Sequence, residues 1–98
     1  MKFEISKKAN EDINDIWLYT YETWSLEQAD RYYNLIMDEI EFISENFEHG
    51  KSMEHIRTGY NATKVKSHLI FYKKSSKGIL EIIRVLHQRM DIENRLND

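Results

Sequence analysis

The chain has 98 residues and a net charge of −3, with no cysteine, no proline and only three glycines. The lack of cysteine excludes disulfides and thiolate metal sites, and the scarcity of proline and glycine excludes a flexible linker. A chain of this length buries about two-thirds of its unfolded surface, so we predict one domain over residues 1–98. It has neither a signal-peptide core nor an apolar run near the roughly 20 residues that cross a bilayer, so we expect a cytoplasmic protein.

The N-terminal stretch predicts a short strand followed by a helix. Phe3 and Ile5 share one face of a strand over 2–5, and Ser6 then serves as a helix N-cap. The apolar face of the helix comprises Ala9, Ile13, Ile16, Trp17 and Trp24. Its solvent face comprises Asn10, Glu11, Asp12, Asn14 and Asp15. The steps of three and four between the apolar residues are typical of an amphipathic helix.

A second helix is predicted to begin after Ser25, where S-L-E-Q forms a capping box between Ser25 and Gln28. Its apolar stripe comprises Leu26, Ala29, Tyr33, Ile36, Ile40, Ile43 and Phe47. This stripe describes a helix of about six turns, and the short connection predicts an antiparallel helical hairpin. Aromatic residues are frequent here: Trp17, Trp24, Tyr32 and Tyr33. We interpret them as hairpin and core residues rather than as a ligand site.

The second half of the chain has the period of strands. His49–Ser52 is predicted to be a loop, and Lys64–Tyr72 alternates apolar with polar residues. Ser75–Gly78 follows as a hairpin turn, and Ile79–His87 is almost continuously apolar, as in a central strand. The predicted fold is therefore α+β: an N-terminal strand and a helical hairpin packed on one face of a small antiparallel sheet. The other face should stay partly open.

Charge is divided unevenly between the two halves. Residues 1–50 contain 4 Lys and Arg against 12 Asp and Glu, a net charge of −8, whereas residues 51–98 contain 10 against 5, a net charge of +5. One interpretation is a coincidence of solvated faces. The other is a basic surface on the C-terminal half that binds an acidic ligand.

Arg84 interrupts the apolar run of the last strand, and burying an unpaired guanidinium would be very costly. It should therefore pair with a carboxylate such as Glu81, or emerge on the open face in an anion site with His87 and Arg57. His68 and His87 could face each other across the strands. No histidine pair has zinc-ligand spacing, and no glycine-rich phosphate loop or nucleophile elbow is present. We expect no metal and no cofactor.

The order of elements and several motifs resemble the ParE-type toxins of the RelE/ParE superfamily, from type II toxin–antitoxin systems. The motifs are A-x-x-D-I-x-x-I-W from Ala9, Q-A-x-x-Y from Gln28, S-H-L-I-F-Y from Ser67, and R-V-L-H-Q-R-M-D from Arg84 with R-L at Arg95. The last of these is the most specific. The resemblance implies a helical hairpin on a small sheet and a ParD-like antitoxin partner that wraps the toxin.

The resemblance also implies a target, which differs between branches. The ParE branch poisons DNA gyrase, whereas the RelE branch cuts mRNA in the ribosome. A nuclease needs a base, an acid and cations, and it must dock on polyanionic RNA. This chain is net negative, lacks the tyrosine often found after the last strand in nucleases, and shows no base near Arg84. These features favour gyrase as the target. A third alternative is an inert relative that only binds an antitoxin and represses their shared operon with it.

The resemblance places the target- or antitoxin-binding residues in the terminal segment. They are Arg84, His87, Arg89, Met90, Asp91 and Arg95. No residue is predicted to be catalytic in a gyrase inhibitor; in a nuclease the candidates would be Arg84, His87 and Arg57. We expect no membrane association and no direct DNA binding by the toxin alone. Both a toxin dimer and a hetero-oligomer with the antitoxin are compatible with the sequence.

Overall fold

The computed structural model describes residues 3–96. Its strands are β1 Phe3–Ile5, β2 Lys51–Ser52, β3 Asn61–Val65, β4 His68–Lys74 and β5 Leu80–His87. Its helices are α1 Lys7–Thr23, α2 Leu26–Glu45 and α3 Ile92–Leu96, with a short 3-10 turn at Phe47–His49. No helix among these residues is long and apolar enough to cross a membrane. Lys2, which was assigned to the first strand, lies outside the described residues.

The predicted α+β fold is confirmed, with one correction to the sheet. The five strands form a single sheet in the order β1-β5-β4-β3-β2. β1 pairs with β5 in parallel, whereas the other three pairings are antiparallel, so the sheet is mixed. A parallel pair needs a long crossover, and the helical hairpin supplies part of that connection.

Serine caps begin both helices of the hairpin, as predicted. The Ser6 Oγ accepts a hydrogen bond from the backbone N–H of Ala9 at 3.0 Å, and the Ser25 Oγ accepts one from Gln28 at 3.1 Å. Each cap satisfies a backbone donor that would otherwise lack an intrahelical partner. The apolar stripe of α2 then packs on one face of the sheet. The buried residues of that core include Ile13, Ile36, Ile40, Ile43, Ile70, Tyr72 and Ile82.

The predicted apolar stripes extend too far toward the turn of the hairpin. Trp24, Leu26 and Tyr33 are exposed, with relative accessibilities of 73%, 54% and 41%. Assigning Trp24 and Tyr33 to the core was therefore wrong. The reason is geometric: the core cluster begins along α2 with Tyr32 and Ile36, so the preceding turns have little but α1 to pack against.

The run Lys64–Tyr72, predicted as one strand, is two strands joined by a turn at Lys66 and Ser67. Because Val65 pairs with His68, it lies on the same face of the sheet as Ile70 and Tyr72, whereas Leu69 and Phe71 lie on the other face. The alternation of Val65 with Leu69 and Phe71 in the sequence therefore does not mark a single face. Lys66 takes a φ of +54°, a left-handed conformation that hairpins usually assign to glycine or asparagine.

Replacing Lys66 by glycine should therefore stabilise the protein. The substitution relieves the steric cost of a side chain at positive φ, about 1–2 kcal/mol, and part of this gain is offset by the extra freedom of glycine in the unfolded chain. We expect a net gain of about 0.5–1 kcal/mol in urea denaturation. Lys77→Gly, in the β4–β5 turn, is the control; an equal gain there would contradict the assignment of strain to Lys66.

The second face of the sheet is less open than predicted. Tyr60, Ala62, Phe71, Leu86 and Leu96 form a second apolar cluster, onto which Met53, Ile56 and Ile92 pack. The loop before β3 and the C-terminal helix α3 thus cover this face. Leu96, near the end of the chain, is only 5% exposed. The terminal segment is therefore part of the folded core.

Candidate functional site

Four of the predicted site residues line one small cavity, here called the C-terminal cleft. The cavity measures about 130 Å³ and lies between α1, the adjoining ends of β4 and β5, and α3. Its lining includes Arg84, His87, Met90 and Arg95 together with Asp12 and His68. Arg89 and Asp91 are exposed outside it, and Arg57 does not line it.

Arg84 pairs with Asp12 of α1, so the predicted pairing with Glu81 is wrong. The Arg84 Nε donates to Asp12 Oδ2 at 2.8 Å and Nη2 donates to Oδ1 at 3.1 Å, a bidentate ion pair. Both side chains are largely buried, with accessibilities of 12% and 15%. The same carboxylate accepts a hydrogen bond from the backbone N–H of Val85 at 3.0 Å.

The topology explains why Asp12 occupies this position. β1 pairs with β5 only as far as Ile82, so the outer edge of β5 loses its strand neighbour after that residue. The first turns of α1 take over: Ser6 Oγ donates to the Ile83 carbonyl at 2.8 Å, and Asp12 accepts from Val85. Backbone groups at a strand edge need such partners when they are buried.

Two arginines bind the C-terminal end of α3. The Arg84 Nη1 donates to the Arg95 carbonyl at 3.1 Å, and the Arg57 Nη1 donates to the Leu96 carbonyl at 3.4 Å. Carbonyls at the end of a helix have no intrahelical donor, and cationic donors satisfy them well. Arg84 therefore joins α1, β5 and α3, and it holds the terminal segment against the sheet.

His87 builds the turn that leads out of β5. Its Nδ1 accepts a hydrogen bond from the backbone N–H of Arg89 at 3.1 Å, and its carbonyl accepts from Met90 at 2.9 Å. This turn leaves Arg89 and Met90 on the surface, the latter 41% exposed. His87 also pairs with His68 across the strands, as predicted, with ring centroids 5.2 Å apart.

His68 is held neutral by its surroundings. Burial and, to a lesser extent, the neighbouring His87 lower its pKa to about 4, while Asp12 acts in the opposite direction. The Tyr32 hydroxyl lies 3.0 Å from the Val65 carbonyl and 2.6 Å from His68 Nδ1. The Tyr32 hydroxyl has one hydrogen and can donate to only one acceptor. Both contacts are therefore hydrogen bonds when Tyr32 donates to the Val65 carbonyl and His68 Nδ1 carries a proton that it donates to Tyr32.

This pKa makes stability depend on pH. Above pH 6.5 His68 is neutral whether the chain is folded or unfolded, whereas between 6.5 and about 4 only the unfolded chain takes up the proton. The free energy of unfolding should therefore fall as the pH is lowered through this range. Allowing for partial solvent exposure, we expect His68 to account for a loss of about 1–2 kcal/mol.

The measurement is urea denaturation at pH 7.0 and at pH 4.5 for the wild type and for His68→Gln. Glutamine can still form a hydrogen bond with Tyr32 but does not titrate. The free energy of unfolding of the variant should therefore fall less between the two pH values than that of the wild type. Parallel losses in the two proteins would show that His68 does not carry the effect.

Sequence reasoning missed Asp12 and Tyr32 at this site. Asp12 falls on the solvent-facing side of the α1 pattern, and helical periodicity cannot show that a strand edge lies beside it. Tyr32 carries no local signal either, because its partner His68 is 36 residues away. Among residues 3–96, no group of three or more His, Cys, Asp and Glu side chains is placed to hold a metal ion.

The chain is similar to known toxins along almost its whole length. The family model described as the ParE toxin of type II toxin-antitoxin system, parDE, matches residues 3–92. The chain is 33% identical over 95 residues to Toxin ParE1 of Mycobacterium tuberculosis (strain ATCC 25618 / H37Rv), covering 97% of each. It is 37% identical over 94 residues to Toxin ParE1 of Caulobacter vibrioides, covering 96% of each.

The fold agrees with this relationship. A chain of the chromosomal ParDE TA system from P. aeruginosa matches with a TM-score of 0.77, covering 89% of this chain and 95% of that one. Its sequence identity is 13%, so this likeness concerns the fold alone. On the family match and the two curated relatives, the chain belongs to the ParE toxin family of type II toxin–antitoxin systems.

Proposed function

We propose that this chain is a toxin that inhibits DNA gyrase and thereby blocks replication, and that a cognate antitoxin neutralises it by binding. The choice of gyrase as the target rests on the groups that the two candidate catalytic arginines bind. Arg84 binds Asp12 and the α3 carbonyl of Arg95, and Arg57 binds the carbonyl of Leu96. Both guanidinium groups thus serve the fold, which supports a protein that acts by docking rather than by phosphodiester chemistry.

The proposed docking face is the exposed part of the terminal segment. The His87 turn presents Arg89 and Met90 to solvent, and Asp91 follows at the start of α3. The Asp91 carboxylate accepts a hydrogen bond from the Asn94 side chain at 2.6 Å, so it helps to order this segment. An exposed cation beside a flexible thioether suits a protein surface, because methionine adapts to irregular contacts.

A ribosome-dependent mRNA endonuclease is the second candidate, and one observation favours it. His68 and His87 face each other in the cleft that also contains Arg84. Such a pair could supply an acid and a base. In the nuclease model, His87→Ala should abolish mRNA cleavage in translating ribosomes. In the gyrase model, the same variant should lose gyrase inhibition only to the extent that it disturbs the turn at Arg89.

Purified gyrase provides the direct biochemical test. We expect the protein, added to gyrase with ATP and plasmid DNA, to inhibit supercoiling and to accumulate linear DNA from the cleaved complex. Unchanged supercoiling at a tenfold molar excess of folded protein, without linear DNA, would contradict the proposal.

Substitutions on the docking face should reduce inhibition without affecting folding. For Arg89→Glu combined with Met90→Ala, we expect at least about a tenfold rise in the concentration that half-inhibits gyrase, equivalent to about 1.4 kcal/mol of binding. Lys77→Glu, an exposed charge reversal in the β4–β5 turn, is the matched control. Wild-type inhibition by the double variant would exclude this face. Deleting residues 91–98 is a poorer test, since it removes the buried Leu96.

A further inference from the structure

Met90 is the most accessible of the methionines that the structure describes. It is 41% exposed, whereas Met37 and Met53 are only partly exposed. Met37 packs against the core beneath the helical hairpin, and Met53 packs against the apolar cluster on the other face of the sheet. An oxidant can react with a thioether only where it reaches the sulfur. Exposure therefore distinguishes Met90 from the other two residues.

The chain has no thiol that would compete with methionine for an oxidant. It contains four methionines and no cysteine. Reactive thiolates are the usual sites of reversible oxidation in proteins, and methionine sulfur is the other side-chain group that is oxidised reversibly. The side chains left for reversible oxidation in this chain are therefore the methionines.

The turn after β5 fixes the position of Met90. Its backbone N–H donates to the His87 carbonyl at 2.9 Å, and the N–H of Arg89 donates to His87 Nδ1 at 3.1 Å. Met90 also lines the C-terminal cleft together with Arg84 and Arg95. The thioether thus lies on the proposed docking face, beside cationic side chains. A change in its polarity would alter that face directly.

We propose that Met90 is a site of reversible oxidation and that its oxidation weakens docking on gyrase. The oxidant is hydrogen peroxide. A lone pair of the sulfur forms the S–O bond as the O–O bond breaks, and the departing hydroxide takes up the remaining proton to leave as water. The sulfur loses two electrons and the peroxide gains them. Methionine sulfoxide reductases return the sulfoxide to the thioether. The effect on docking rests on the proposed function, whereas the assignment of the oxidised residue does not.

Two physical effects make the sulfoxide a poorer contact than the thioether. Oxidation converts a flexible apolar side chain into a polar one, and burying a polar group in an interface costs free energy unless it finds a hydrogen-bond partner. The new oxygen is also an acceptor beside Arg89 and in the same cleft as Arg95. A guanidinium that donates to this oxygen is less available to a partner protein. Both effects lower the affinity of the docking face.

Peptide mapping by mass spectrometry identifies the oxidised residue. The folded protein is treated with limiting hydrogen peroxide, quenched with catalase and digested with trypsin. Met90, Met53 and Met37 then fall in separate peptides, over residues 90–95, 52–57 and 32–51. We expect the peptide with Met90 to gain one oxygen, about 16 Da, at least about five times faster than the other two. Equal or faster oxidation of Met37 or Met53 would overturn the proposal. This experiment needs no gyrase, so its result stands even if the gyrase proposal fails.

Gyrase supercoiling measures the consequence for docking. We expect oxidation of the wild type to raise its half-inhibiting concentration at least about threefold, and reductases for both sulfoxide epimers to restore the untreated value. The response of Met90→Leu is compared with its own untreated activity, and peroxide should change it less than about 1.5-fold. Met53→Leu is the matched control and should respond as the wild type does. Unchanged inhibition by protein that is fully oxidised at Met90, or an equal response in Met90→Leu, would overturn the proposal.

Discussion

Replacing Asp12 by alanine should lower the free energy of unfolding by about 3 kcal/mol, because removal of one partner from a buried ion pair leaves the other charge uncompensated. Arg84 is only 12% exposed and would lose two hydrogen bonds of 2.8 and 3.1 Å. The backbone N–H of Val85 would also lose its acceptor. Asp12 also orients the guanidinium that binds the Arg95 carbonyl, so the substitution should weaken this contact with α3.

Two companion variants separate these causes in urea denaturation. Asp12→Asn keeps an acceptor for the backbone N–H of Val85 but removes the charge. It should therefore lower the free energy of unfolding less than Asp12→Ala does. Asp15→Ala removes an exposed acid from the same helix and should cost less than about 0.5 kcal/mol. If Asp12→Ala and Asp15→Ala unfold at the same urea concentration, the Arg84 ion pair does not contribute as described.

A methyl group at Gly50 should be nearly as damaging. The Tyr72 hydroxyl accepts a hydrogen bond from the Gly50 N–H at 2.9 Å and donates to the Phe47 carbonyl at 2.9 Å. A Cβ at Gly50 would collide with that hydroxyl and would lie 2.8 Å from the Ala62 carbonyl. Tyr72 is fully buried and cannot move aside, so we expect Gly50→Ala to cost about 3 kcal/mol, at the upper end for overpacking.

A double-mutant cycle with Tyr72→Phe tests this cause. Tyr72→Phe alone removes two hydrogen bonds and should cost about 1–3 kcal/mol, but it also removes the nearest atom that the new methyl group would meet. The Ala62 carbonyl and the ring carbon of residue 72 remain at 2.8 Å. The combined loss should therefore be clearly smaller than the sum of the two single losses. Additive losses would mean that the Tyr72 hydroxyl is not what makes glycine necessary at position 50.

Local patterns in the sequence predicted the helical hairpin and the last strand, and they failed where a distant segment decides the outcome. His49–Ser52, predicted to be a loop, contains β2 because Lys51 and Ser52 pair with β3. Ser6 and Ser25 cap their helices as predicted because a cap depends only on residues within one turn. Trp24 fits the helical period but is exposed, because burial depends on how far the sheet extends under the hairpin. The turn after Val65 interrupts an apparently unbroken alternation, and it places Val65 on the opposite face of the sheet from Leu69 and Phe71.

The same division applies to the candidate site. The position of Arg84 within an apolar strand indicated that it needs an anionic partner, because burying an unpaired guanidinium is very costly. Its partner, Asp12, is 72 residues away and was assigned to the solvent-facing side of α1. Only the pairing of β1 with β5, which ends at Ile82, creates the edge that Asp12 covers. No pattern within either segment contains that information.

The most direct test of the central claim is the incorporation of labelled thymidine and labelled methionine in one bacterial culture, minutes after induction of this protein without an antitoxin. Gyrase inhibition should lower thymidine incorporation first, while methionine incorporation continues. An early fall in methionine incorporation with thymidine unaffected would contradict gyrase as the target and identify a protein that acts on translation.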